Sequence, residues 1–204
     1  MLDVGKIDMQ LSWQMPFFLF LISTIIFVQG CANPINRVTS DRYMAQCHEA
    51  AQNEQLVIAE EACYRSLVNV DMGNLGPELK SHRLYKLGEI KRRIGKYEEA
   101  VPLFQMSLEI EEKLSGPSSP KIAGRLAELA LSHLENSRMS DGIPLVQRLG
   151  TMTNHLSGFD RKLAGATFHY YAEELKKREK HELATEFSKK QIRSDLYLRG
   201  PNQW

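Results

Sequence analysis

Charge of either sign is barely in excess in this chain: 26 Lys and Arg against 25 Asp and Glu give a formal +1 over 204 residues. Phosphate backbones are bound through a basic excess, so nucleic acid is excluded as the main partner. Cysteine is sparse, three in all, and no Cys/His cluster has metal-ligand spacing. No apolar run reaches the roughly 20 residues of a comfortable membrane-spanning helix. No strand signal of comparable length accompanies the helical periodicity. What is present is a 43% hydrophobic fraction. That is too high for a disordered chain, and the length suits one domain or at most two.

Stretches that look like chemistry lack their second half. His181-Glu182-Leu183-Ala184-Thr185 opens like a zinc-protease helix but has no histidine at i+4, so the two-histidine metal face is missing. Gly88 to Lys96 is a poor phosphate loop, with Tyr97 where Ser or Thr belongs. Ser118-Ser119-Pro120-Lys121 has Ser-x-x-Lys spacing, but in a breaker-rich loop without companion motifs. The chain reads as a non-enzyme, with no catalytic residue, metal or cofactor expected.

Met15 to Val28 is a charge-free run of 14 residues. It is short for a hydrocarbon core of about 30 Å and has the length of a signal-peptide apolar region. Val28-Gln29-Gly30-Cys31 follows at once. These four residues and the run resemble the lipobox of bacterial lipoproteins. The resemblance implies cleavage between Gly30 and Cys31, palmitate-type diacylation of Cys31, and acylation of the new amino group. Ala32, rather than aspartate, favours the periplasmic face of the outer membrane. Met1 to Gln14 departs from the pattern, with Asp3, Asp8 and a single Lys6. A start at Met9 or Met15, an uncleaved inner-membrane anchor, and a core helix with a chance cysteine stay open as alternatives. Loss of residues 1–30 leaves a body of net +2. Residues 31–40, with Asn33-Pro34, Asn36 and Ser40, read as a polar tether.

The body repeats itself. Leu84, Leu87 and Gly88 sit at helical spacing, Gly95-Lys96-Tyr97 breaks the pattern, and Ala100, Phe104 and Leu108 resume it. A shift of 42 brings Leu126, Leu129, Ala130 and Gly142; another brings Phe168, Tyr171, Ala172 and Ala184; a shift back of 41 brings Tyr43, Cys47, Ala59 and Cys63. Small residues at these positions let helices cross closely. Leu84-x-x-Leu87-Gly88 through Gly95-x-Tyr97-x-x-Ala100-x-x-x-Phe104 resembles the tetratricopeptide repeat (TPR), in the 42-residue version of kinesin light chains. Lys91 and His133 stand where an aromatic is common, and Ser188 stands at the Phe104 position beside Phe187. The resemblance implies an all-α, right-handed TPR superhelix, an α-solenoid of about four helical hairpins. It would occupy residues 41–198, in units of about 41–72, 80–115, 121–152 and 161–195, followed by a tail at 199–204.

In that family the first helices of the hairpins line a groove that binds proteins or peptides. The corresponding stripe here is Tyr85, Glu89 and Arg92, then Leu131 and Leu134, then His169 and Lys176. Leu131 and Leu134 are equally readable as core. Cys47 aligns with Gly88 and Cys63 with Phe104, so the two thiols form either a disulfide, which an oxidising periplasm permits, or a packed pair of small side chains. The functional expectation is a lipid-anchored adaptor that binds a protein partner. The runner-up is a homo-oligomer pairing through Leu196, Leu198 and Trp204 at the last repeat. Cys31→Ser is expected to leave the protein uncleaved and unacylated; equal incorporation of labelled palmitate into wild type and variant would contradict the anchor.

Overall fold

The structure, a computed structural model, describes residues 33–199, the last five of these by backbone alone. Residues 1–30, the Gly30–Cys31 junction, residues 200–204 including Trp204, and the side chains of Leu196 and Leu198 lie outside it. Eight α-helices and no strand are found among the described residues: α1 (Pro34–Gln52), α2 (Leu56–Met72), α3 (Pro77–Ile94), α4 (Tyr97–Ser115), α5 (Ala123–Glu135), α6 (Met139–Met152), α7 (Gly158–Lys177) and α8 (His181–Arg199). They pack as four successive hairpins, α1–α2, α3–α4, α5–α6 and α7–α8. None is long and apolar enough to cross a membrane.

The expected tether is not a linker from residue 34 onward. Asn33 caps α1, its side chain accepting from the Ile35 amide at 3.0 Å, and Pro34 occupies the first turn. Asn33 N also donates to Gly73 O at 3.1 Å, fixing the start of α1 to the end of α2. Asn-Pro thus serves here as a cap with proline just inside the helix, where its missing N–H costs nothing. The second and fourth units likewise begin earlier than expected, at Pro77 and Gly158, and the last helix runs through Arg199.

Each hairpin turns at one left-handed residue: Glu54 (φ 56°), Gly95 (φ 89°), Ser137 (φ 59°) and Glu179 (φ 59°). These positions are related by the repeat shifts of 41, 42 and 42. Only the second hairpin uses glycine there.

The crossing point of each hairpin is equally regular. A Cβ at Gly88 would meet the Phe104 ring at 2.9 Å, so glycine is what admits the phenyl group. One repeat earlier Cys47 and Cys63 occupy the same two places, their Cα atoms 5.2 Å apart and their sulfurs bonded. Ala130 and Val146 fill them in the third hairpin, both fully buried. In the fourth, Phe187 rather than Ser188 turns inward, stacking near Phe168 and Tyr171 at centroid distances of 6.2 and 6.4 Å.

Polar bonds add to this in the first half. Ser40 and Ser66 each donate to the other's carbonyl, at 2.9 and 2.8 Å, and Ser81 and Ser107 repeat the exchange at 3.0 and 2.8 Å. Arg83 from the second hairpin reaches Ser40 Oγ, and Arg125 from the third reaches Ser81 Oγ and Ser107 Oγ. The third hairpin has Ala123 and Leu149 in the serine places, and Thr167 stands where the next arginine would be; all three are buried.

Left-handed backbone at a residue with a Cβ costs about 1–2 kcal/mol. Ser137→Gly and Glu179→Gly are each expected to raise the unfolding free energy by about 1 kcal/mol once glycine's entropic cost is deducted. Chemical denaturation measures this, and a glycine variant less stable than its parent would contradict the turn geometry.

Candidate functional site: a cleft along the first helices

The first helices α1, α3, α5 and α7 contribute to a cleft of about 850 Å³. Its cationic wall carries Arg37, Arg83, Lys86, Lys121 and Arg125, and its acidic groups are Asp41, Glu78, Glu111 and Asp160. Several of these charges hold hairpins together. Arg83 pairs with Asp41 across the first junction, and Arg125 pairs with Glu111 across the second at 3.0 Å. His82 is exposed at the cleft wall, but partial desolvation there, followed by the neighbouring Arg83 and Lys86 cations, holds its imidazole down at about 4. It is therefore neutral at physiological pH. Burial pushes the Asp160 carboxyl up, with Arg125 opposing.

Gly124 forms bare floor between two polar groups. The position of a Cβ there lies 3.3 Å from both Tyr85 Oη and Asp160 Oδ1. Beside them Phe159, at the start of α7, is 66% exposed, and Lys121 is exposed one turn before Gly124. A surface of this kind offers aromatic area and both signs of charge.

The stripe anticipated from the sequence is only partly this surface. Tyr85 lines the cleft, but its ring packs edge-on to Phe104 at 5.7 Å with the Arg125 guanidinium 5.5 Å above it. Burial and then Glu128 push its phenol far above the usual range. Glu89 lies in a smaller depression of about 440 Å³ with His48, Lys86 and Arg93, and pairs with Lys86 at 2.9 Å. Arg92 is only 19% exposed and clamps two carboxylates of α5, Glu128 at 2.6 Å and Glu135 at 2.8 Å. Leu131 is buried and Leu134 packs against the core, because α5 has helices on both flanks. His169 and Lys176 are exposed on α7, Lys176 paired with Glu173 at 2.6 Å. The seven residues do not form one open stripe, and the cleft lies nearer the amino ends of the first helices. The sequence reading missed His82, Lys121, Gly124, Phe159 and Asp160. The signal was present in part: Gly124 occupies His82's repeat position.

Lys91, where an aromatic is common, instead bridges Glu60 of the first hairpin and Glu99, both at 2.6 Å. His133, the other departure, is buried on α5 with Nδ1 4.0 Å from Asp141.

No protein-family profile matches the sequence, and no curated protein matches it. Among solved structures it is similar to BtubC (BKLC) from P. vanneervenii, with TM-score 0.70 and 16% identity over 83% of this chain and 68% of that one. It is also similar to a putative kinesin light chain of Podosopora anserina with nearly identical TPR-like repeats, with TM-score 0.59 and 16% identity over 78% and 77% of the two chains. At such identities the likeness carries the fold: the chain is an all-α, TPR-like repeat solenoid.

Arg92 matters to stability because Glu128 is almost fully enclosed. Burial holds the Glu128 carboxyl above its ordinary range, with Arg92 opposing. Arg92→Ala leaves that carboxylate without its cation, and is expected to cost about 3 kcal/mol at neutral pH. A raised folded-state pKa means that stability is lost as pH rises from the unfolded carboxylate range through the folded value. The deficit of the variant should therefore shrink on acidification. Melting curves across pH check this, and an unchanged melting temperature at neutral pH would place Arg92 on a free surface instead.

Proposed function

We propose that the chain is a non-catalytic adaptor, anchored by acylated Cys31 to the periplasmic face of the bacterial outer membrane, whose first-helix cleft holds a segment of a protein partner. The observation that carries the reading is the cleft itself, where Phe159 and Lys121 lie exposed beside the enclosed Tyr85–Gly124–Asp160 floor. A repeat solenoid of this kind buries each hairpin on its neighbours and leaves such a surface for recognition. The anchor rests on the run Met15 to Val28 and on Gly30-Cys31 in the sequence. Exposed aromatic side chains such as that of Phe159 are among those enriched at interfaces.

A photo-crosslinking amino acid at Phe159 should capture a discrete protein in cells, while the same group at Gln105, exposed on a second helix, should not. Lys121→Ala should weaken the adduct and leave the unfolding free energy within about 0.5 kcal/mol of wild type. Equal capture at both positions, or none at Phe159, would remove the cleft as the binding surface.

A further inference from the structure

The start of α1 has a consequence for how the solenoid meets the membrane. Under the anchor reading, on which this inference rests, only Ala32 and the capping Asn33 separate acylated Cys31 from Pro34, the first helical residue. Three residues span at most about 10 Å when fully extended. The headgroup layer on each side of a bilayer is itself roughly 5–8 Å thick, being half the difference between total and hydrocarbon thickness. Asn33 is not free to extend, since its backbone donates to Gly73 O and its side chain caps the helix. The first turn of α1 therefore cannot leave the vicinity of the headgroups.

The face that α1 turns away from the fold suits that position. Ser40, Met44 and Cys47 are its buried side. Ile35, Val38, Arg42 and Ala45 recur at spacings of three and four on the opposite side, all exposed, with Ile35 at 73% and Val38 at 69%. Two branched aliphatic side chains in the first turns, nearest the anchor, followed by an arginine and then a small residue, form a short interfacial lane. No described element covers it. We infer that this lane is a membrane-contact surface: Ile35 and Val38 enter the boundary between acyl chains and headgroups, and Arg42 meets lipid phosphates. The lipid anchor would then fix orientation as well as location. Arg37 and Asp41, on the adjoining side of α1, line the cleft, so the cleft opens beside the bilayer and its partner segment is met at the membrane surface.

The test uses the mature protein reconstituted in vesicles of phosphatidylethanolamine and phosphatidylglycerol whose acyl chains are brominated. The chain has two tryptophans, Trp13 and Trp204, and Trp13 leaves with the cleaved segment. In a Trp204→Phe background, Val38→Trp places one indole on the lane and Gln105→Trp places one on a second helix. Intact mass of the same samples reads the acyl chains. The inference expects an acylated protein in which the Val38→Trp emission shifts to the blue and is mostly lost to brominated lipid, while the Gln105→Trp emission keeps its intensity. An acylated protein whose Val38→Trp emission is no more quenched than that of Gln105→Trp overturns the seating and leaves the anchor standing. A protein without acyl chains overturns the anchor and the seating together.

Discussion

The close crossing of the two helices within each hairpin is the constraint from which the rest follows. At one pair of positions the backbones approach too closely for two large side chains. The chain solves this four ways: a bonded Cys47–Cys63 pair, Gly88 beneath Phe104, Ala130 with Val146, and Ala172 with Phe187 swung in beside it. The crossing sets the distance at which Ser40 can reach Ser66 and Ser81 can reach Ser107. It also sets the turn, since all four hairpins close through a left-handed residue whether or not that residue is glycine.

Between hairpins the forces change along the chain. At the first two junctions an arginine crosses to a serine pair of the preceding hairpin and to a carboxylate, Arg83 to Asp41 and Arg125 to Glu111. Buried cations of this kind are tolerable only because every guanidinium has several acceptors. At the third junction, made mainly by α5 against α7, the equivalent sites are Ala123, Leu149 and Thr167. A different bond appears instead, Tyr171 Oη donating to Ala130 O at 2.7 Å, and it needs Gly142, because a Cβ there would collide with the hydroxyl.

Much of the fold was legible because burial repeats with the chain. Four hairpins, their breakers and their small residues all recur at 41 or 42 residues, and a periodic constraint leaves a periodic signal. The helix starts were less legible: Asn33-Pro34 and Gly76-Pro77 have loop composition yet act as caps or first-turn residues. The turn positions Glu54, Ser137 and Glu179 were hidden because their residue types do not announce left-handed backbone. The cleft was the least legible part. Helical spacing shows which side of α5 carries Leu131 and Leu134, but not that neighbouring helices cover it. Nor does spacing show that Gly124 lets Tyr85 sink toward Asp160. The serine–arginine pattern was readable in principle, since Ser40 and Ser81, Ser66 and Ser107, and Arg83 and Arg125 all recur at the repeat spacing.

The uneven distribution of those serine–arginine bonds gives the solenoid two kinds of junction. Hydrogen bonds are directional, so at the first two junctions these bonds specify how one hairpin is rotated on the next. The last junction is mainly apolar contact, which is non-directional, with the Tyr171–Ala130 bond to orient it. Of the groups lining the cleft, those on α1, α3 and α5 belong to hairpins joined in the first way, whereas Phe159 and Asp160 belong to the hairpin joined in the second. The cleft thus spans both kinds of junction: the orientation of its α7 side rests on matched apolar packing and the Tyr171 hydroxyl, that of its other sides on several charged hydrogen bonds.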